Sequence, residues 1–519
     1  MSAYVNGLGN RTRQQMCPFH PAFAQTARPD IVVAVADIPP TLEPAKELSN
    51  VGTRISYSMF DTLIRRDFLS VEGGGGSALV PGLAESWQRL DELTLQVKLR
   101  PGVTFHNGAP LIADDIVFTF SPERLTGKDA PIPEGKAYFS VLDHVEAIDP
   151  LTVNFVNKKP DPLMEVRLSS WASWIINKQD WLEKQKTAAG GLPHFPVGTG
   201  PYRLDDYKAD QLVKLSAFNA YWDEKPTAAT VTFRKVPEGA GRIAGLVSGE
   251  FDLVTNVAPD QIAQINSYND IEARSVVLAN SHVLVFNTNH PVLKDKRIRQ
   301  ALSIAIDRDL LNQALWNNQA VIPLSHQYPE YGAMYDPNHP PYKQNLEKAR
   351  QLLTDAGYKG EEIVYALHPT YYLNALSAAQ IMVEMWKEAG LNIRLNVTED
   401  VDRIPNDELM IRNWSNSTRY PDPLGGLWAL WGPYGTAQGR WKVWAPEHFN
   451  ELGRQLETTI DLPERQKISK EMLAIWDDEV PGTILYQPLE TYSVRKSLKW
   501  QPYTFYYMDL RAYNLQDTK

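Results

Sequence analysis

Between residues 295 and 411 the chain repeatedly switches hydrophobic period, and this alternation limits the fold more than any other feature. Ile298, Ala301, Leu302, Ala305 and Ile306 recur at i, i+3, i+4, i+7 and i+8, one apolar face of a helix that Asp295 caps. Leu346, Ala349, Leu352, Leu353 and Ala356 repeat the pattern, and Gly357 stops it. A third helix is expected over 376–389, ended by Gly390. Leu391, Ile393, Leu395 and Val397 then alternate at period two, the mark of a strand. Helices interleaved with strands predict an α/β architecture.

This succession leads to a short apolar run, Leu409 to Ile411, that suits a buried strand. Arg412, Asn413, Trp414, Ser415, Asn416, Arg419, Tyr420 and Asp422 follow, among Pro421, Pro423, Gly425 and Gly426. Prolines and glycines oppose a regular element here, so the stretch is expected to be a loop. Ligands of open α/β sheets lie at the carboxyl ends of strands. The loop offers hydrogen-bond forks, both charge signs and flat aromatic faces, a mixture suited to a small polar ligand with an apolar side. A surface turn with ordinary Arg and Asp caps is the competing reading.

A chain of 519 residues exceeds one ordinary core, so two or three domains are expected. The net charge of −10 leaves no basic excess to release counterions, which argues against nucleic acid as a partner. No apolar run is long enough to cross a bilayer. The single cysteine, Cys17, excludes an intramolecular disulfide and a cysteine-based zinc site. His106 has no second histidine at ligand spacing and reads as a structural side chain; no cofactor or metal is expected. Pro21-Ala-Phe-Ala-Gln25 resembles a small-residue cleavage site, but residues 1–20 lack the apolar core of a signal peptide. Residues 1–28 are therefore expected to be a signal remnant or poorly ordered.

Elsewhere, Ile31 to Ala36 reads as a buried strand running into a proline cluster at Pro39. Ser56 to Leu63 reads as the start of a helix. Gly73 to Gly76 reads as a flexible surface excursion, since no Gly-Lys-Ser/Thr follows it. Leu93, Leu95, Val97 and Leu99 alternate as a strand, and Asp114 and Asp115 start a helix. Pro196-Val-Gly-Thr-Gly-Pro-Tyr-Arg203 fails as a dinucleotide fingerprint, because Arg203 stands at the third glycine. Ser281 to Asn289 is a strand ending in two asparagines, Asn287 and Asn289. Val480 to Tyr486 looks like a further strand, and a tail rich in Tyr and Trp closes the chain.

Several of these stretches together resemble the family 5 solute-binding proteins of ABC importers, which bind dipeptides, oligopeptides, nickel or opines. They are Leu83-Ala-Glu-Ser-Trp87, the run from Leu99-Arg-Pro-Gly-Val-Thr-Phe-His-Asn-Gly108 to Asp115, Val197-Gly-Thr-Gly-Pro-Tyr202, Asn219-Ala-Tyr-Trp222, Ser248-Gly-Glu-Phe-Asp252 and Arg297-Ile-Arg-Gln-Ala-Leu-Ser-Ile-Ala-Ile-Asp307. The match runs from about residue 30 to the end. It implies a two-lobed periplasmic-binding-protein fold of type II with an additional α/β domain. Lobe I would combine 29–45, 190–278 and 481–519; the extra domain would be 46–189, and lobe II 279–480. It also implies a periplasmic receptor, expected to be monomeric, that holds a small molecule between its lobes and passes it to an ABC permease of the inner membrane.

In peptide-binding members an Asp in the loop matching 412–428 holds the peptide amine, and Asp422 stands at that position. Within the family the chain looks most like the opine binders of agrobacteria, a branch that takes up sugar-phosphate conjugates of the agrocinopine type. A guanidinium matches phosphate oxygens bidentately, which makes Arg419 the candidate phosphate ligand. Trp414 and Tyr420 are the faces offered to a sugar ring. Asn413, Ser415, Asn416, Asn287, Asn289, Tyr57 and the turn at Pro39 complete the expected contacts. A di- or oligopeptide is the alternative ligand. A sugar- or peptide-cleaving hydrolase is the rival of another class, though neither G-x-S-x-G nor H-E-x-x-H occurs. A chaperone-like holder of extended peptides is the third.

Overall fold

In the computed structural model the described residues are 28–517 apart from 128–129, 133–134, 136–137 and 189–191. The expectation for the N-terminal 27 residues falls outside them.

The buried strand Asp30–Val35 forms the middle of a seven-stranded sheet. It runs parallel to Thr230–Lys235 on one side and to Leu253–Val254 on the other. Tyr202–Lys208, Leu212–Ala217, Ile271–Val277 and Leu489–Arg495 complete that sheet. A second sheet has the order Ile393–Val397, Ile363–Leu367, Ile411–Ser417, Asn280–Phe286, Gly482–Tyr486. Between 84 and 157 lies a separate four-stranded antiparallel sheet: Ala84–Arg89, Thr94–Leu99, Thr152–Asn157 and Leu142–Asp149.

The chain passes between the seven- and five-stranded sheets twice, at 278–279 and at 487–488. The crossings lie side by side: Leu278 N–H donates to the Pro488 carbonyl at 3.0 Å, and Gln487 Nε2 to the Leu278 carbonyl at 3.1 Å. Because Gly482–Tyr486 pairs with Asn280–Phe286, it belongs to the second sheet. A boundary at 481 is thus corrected to the crossing after Tyr486.

The amphipathic helices form as their spacing demands. Lys296–Ile304 starts at Asp295, whose side chain accepts from the Arg297 N–H. Leu346–Ala356 ends at Gly357 in the left-handed conformation. Ala375–Glu388 packs against the second sheet through Ala378, Ala379, Met382 and Trp386.

Three expectations change. The helix placed at 56–63 lies instead at Asn50–Ser56, because Ser49 caps it by accepting from the Gly52 N–H. The glycine run is not a free excursion: Gly74 and Gly76 are buried, and the Gly74 carbonyl accepts from the Thr504 N–H at 3.0 Å. Arg412 to Ser417 are not loop residues. They continue the strand from Ile411, paired residue by residue with Asn280–Phe286 in antiparallel register. That ladder supplies backbone partners which outweigh the polar composition.

Candidate functional site

The loop after this strand begins at Thr418 and is built from its own hydrogen bonds. Arg419 N–H donates to the Gly425 carbonyl at 3.0 Å, and Gly425 N–H to the Asp422 carbonyl at 2.8 Å. A Cβ on Gly425 would lie 2.3 Å from the Tyr420 carbonyl oxygen, so a side chain there would open the loop. Asp422 Oδ1 accepts from the Leu424 N–H at 3.0 Å and caps the turn Pro423–Gly425. Its Oδ2 pairs with Arg465 at 2.7 Å, both side chains being buried. Burial raises the Asp422 carboxyl above its ordinary range, and the Arg465 charge opposes that rise. Both oxygens of Asp422 are therefore engaged within the protein.

Tyr420 faces the segment after the four-stranded sheet. Its hydroxyl accepts from Arg167 Nη1 at 2.9 Å, and Arg167 is paired in turn with Asp161 at 3.0 Å. The half-buried Arg419 guanidinium lies over the Tyr138 ring, 4.5 Å from its centroid. Among the described residues it makes no ion pair and no side-chain hydrogen bond. The arginines beside it differ: Arg167 and Arg465 have Asp161 and Asp422.

Arg419, Tyr420 and Pro421 form one wall of a narrow space between the two units. Arg66, Phe68, Ser170 and Tyr507 line the other side. Arg66 donates from Nε to the Gly76 carbonyl at 2.5 Å and from Nη2 to the Gly75 carbonyl at 3.1 Å. Its guanidinium lies 4.3 Å above the Phe68 ring. Burial pushes it down to about 10, with the Glu330 carboxylate opposing the shift. Beside it the segment Tyr503 to Tyr507 supplies stacked rings: Tyr503 on Phe68 at 4.5 Å, and Tyr507 on Tyr57 at 4.3 Å. A larger cavity of about 590 Å³ opens on the second unit alone, beside Arg308. The Arg308 donors there already serve the Ser303, Ile306 and Ile484 carbonyls and the Ser303 and Thr483 hydroxyls, and the other cations of its lining, Lys343 and Lys348, are exposed to solvent.

The residues expected to touch a ligand are not all brought together. Arg419 and Tyr420 reach the seam. Tyr57 lies close by but is 9% exposed, stacked beneath Tyr507. Trp414 is half-buried, packed on Tyr371 at 5.6 Å with its ring edge-on to Trp441 at 4.8 Å. Asn413 is buried beside Tyr372. Ser415 bonds Asn280 at 2.8 Å, and Asn416 donates to the Gly426 carbonyl at 3.4 Å. The Pro39 carbonyl accepts from the Tyr207 hydroxyl at 2.9 Å. Asn287 and Asn289 are far from the loop. Phe286 pairs with Ile411 and Asn280 with Ser417, so the antiparallel register puts these asparagines at the opposite end of the strand, roughly 20 Å away. There Asn287 Nδ2 donates to the Asn406 and Leu409 carbonyls, and Asn289 Nδ2 to that of Lys442.

Arg66, Phe68, Ser170 and the aromatic run 503–507 were not singled out from sequence. The one available signal was Tyr503-Thr-Phe-Tyr-Tyr507, whose density of rings exceeds what a chain terminus needs.

The family model for bacterial extracellular solute-binding proteins, family 5, matches residues 78–438. The chain is 27% identical over 453 residues to the dipeptide-binding protein of Escherichia coli (strain K12), covering 82% of this chain and 84% of that one. The periplasmic binding protein DppA from Helicobacter pylori, solved with the peptide STSA, superposes with a TM-score of 0.82 at 22% identity, covering 94% of this chain and 98% of that one. PBP AgaA from A. tumefacien R10, solved with agropinic acid, gives a TM-score of 0.79 at 20% identity, with 92% and 96% covered. The fold is the two-lobed α/β fold of these binding proteins, with the seven- and five-stranded sheets as its two lobes.

Proposed function

The chain belongs to the bacterial extracellular solute-binding proteins, family 5, and on that premise we propose that this ABC-importer receptor captures a small anionic solute in the seam at Arg419. The solute of choice is an opine of the sugar-phosphate type, as in the agrocinopines, and it leaves the protein chemically unaltered. The receptor works as a periplasmic monomer and hands its ligand to a permease in the inner membrane. Among the described residues no helix is long and apolar enough to cross a membrane, so the transport path is assigned to that partner.

One observation carries this reading: Arg419 stands at the interlobe space with its guanidinium in no ion pair among the described residues. A desolvated guanidinium gains most from a bidentate oxyanion. The ligand adds contacts to the second wall only when the lobes meet, so closure follows its preference for the closed state. The competing reading, a di- or oligopeptide, draws on the relatives named for dipeptides and peptides. Against it, the Asp422 carboxylate is already held by Arg465 and the Leu424 N–H.

Native mass spectrometry of the protein purified from its own host gives the mass of a co-purifying ligand directly. In calorimetry, Arg419→Ala weakens an anionic ligand more than tenfold, whereas Asp422→Asn leaves that affinity nearly unchanged and lowers stability instead. A phosphate-free peptide as the bound mass, with affinity lost in Asp422→Asn and kept in Arg419→Ala, replaces the sugar-phosphate reading by the peptide one.

A further inference from the structure

Arg419 is one of two guanidinium groups that line the same interlobe space. The other, Arg66, comes from the opposite wall. Neither forms an ion pair among the described residues, although Arg167 and Arg465 beside the loop do. Two of the Arg66 donors are fixed on the Gly75 and Gly76 carbonyls, which aims the rest of the fork. Ser170, 5% exposed, lines the same space, and its Oγ has no hydrogen-bond partner among the described residues. Glu330 is the carboxylate that faces Arg66 from the second lobe, and one of its oxygens, Oε2, is buried with no hydrogen-bond partner among the described residues.

We propose that Arg66 and Arg419 clamp a single phosphoryl group from opposite lobes, with the Ser170 hydroxyl as third donor, so that closure is coupled to the ligand's phosphate. The proposal rests on the anionic-ligand reading above and names its chemical class, a phosphate ester. Geometry favours phosphate over carboxylate. The two coplanar oxygens of a carboxylate are filled by one guanidinium fork, whereas the tetrahedral phosphoryl group directs oxygens toward two walls. Electrostatics supplies the coupling. Closing the seam brings two like charges into a poorly solvated space, which opposes closure until an anion lies between them. The Glu330 carboxylate offsets part of the Arg66 charge and leaves Arg419 uncompensated. The sugar or other organic part of the ligand then meets the Tyr507 ring on the same wall.

The test uses glucose 1-phosphate, inorganic phosphate, glucose and glucuronate as probes, with calorimetry for affinity and small-angle scattering for closure. Wild-type protein is expected to bind and close with the two phosphates and to stay open with the other two. Arg66→Gln and Arg419→Gln each weaken glucose 1-phosphate more than tenfold and abolish compaction. The double variant loses less than the two separate losses multiplied, because a one-armed anion no longer bridges the lobes. Phosphate also protects both arginines of wild-type protein from phenylglyoxal, read by peptide mass spectrometry, which requires no variant to fold. Unchanged affinity in Arg66→Gln with a weakened Arg419→Gln, or protection of Arg419 alone, overturns the clamp and leaves the anion reading standing. Equal binding of glucuronate overturns the phosphate assignment. Binding of neither phosphate probe, while a peptide compacts the protein, removes both the clamp and the anion reading beneath it.

Discussion

Three histidines are held neutral by burial alone or nearly so. Burial pushes His282 and His326 down to about 3 and His106 down to about 4. His282 is stacked 3.6 Å from the Tyr372 ring, and His106 Nε2 meets the Gly200 carbonyl at 2.9 Å. An unfolded histidine titrates near ~6.5. Below that pH the unfolded chain takes up protons that the folded chain refuses. Their contribution to stability is therefore complete above about pH 6.5 and is lost as pH falls toward the folded values, by up to about 1.4 kcal/mol per pH unit for each ring. Urea unfolding at a series of pH values should show this slope between pH 6 and 4.5, and His282→Gln should remove one proton from it. An unchanged slope in that variant contradicts the assignment. The same scale explains Asp422: its neighbours in sequence advertise a ligand carboxylate, but Arg465, 43 residues on, takes it.

Among elements, the glycine run and the strand at 411–417 matter most. Gly74 has φ +71°, and a Cβ there would lie 2.4 Å from the Pro502 carbonyl oxygen. Gly74→Ala should cost about 2 kcal/mol from left-handed strain and this collision. It should also speed hydrogen exchange at the Thr504 amide, which donates to the Gly74 carbonyl. Normal protection at Thr504 would mean that the run does not hold the aromatic segment in place. Neither contact was legible locally, since four glycines describe equally a free loop and a close approach. The amphipathic helices were legible because each carries its own periodicity and stop. The strand past Ile411 was not, because its polar side chains give no period and its partner lies 130 residues away.

Across the whole molecule, the lobes meet among the described residues through few specific bonds, of which Tyr420 to Arg167 is the clearest. Tyr420→Phe deletes only that hydroxyl, while Arg167 keeps Asp161 and the Tyr138 carbonyl. A hydrogen bond to a charged group contributes about 2 kcal/mol. Its loss should favour the open form, enlarge the radius of gyration of the ligand-free protein, and weaken the ligand several-fold with little change in unfolding midpoint. Equal radii for variant and wild type would show that this bond does not bias closure. The paired crossings at 278–279 and 487–488 make such opening cheap, because only two short backbone segments must bend.

By itself the amino-acid order settled the α/β class, the amphipathic helices at Lys296–Ile304, Leu346–Ala356 and Ala375–Glu388, and the family, since these depend on period, capping and local motifs that neighbouring residues carry. It also marked Arg419, whose loop is signalled by its own prolines and glycines. Only the tertiary structure decided which polar groups remain free. Antiparallel register sent Asn287 and Asn289 to the far end of their strand, Arg465 occupied Asp422, and chain crossing placed Arg66 opposite Arg419. Those outcomes depend on pairings between distant residues, and no local pattern encodes which of two like side chains will find a partner.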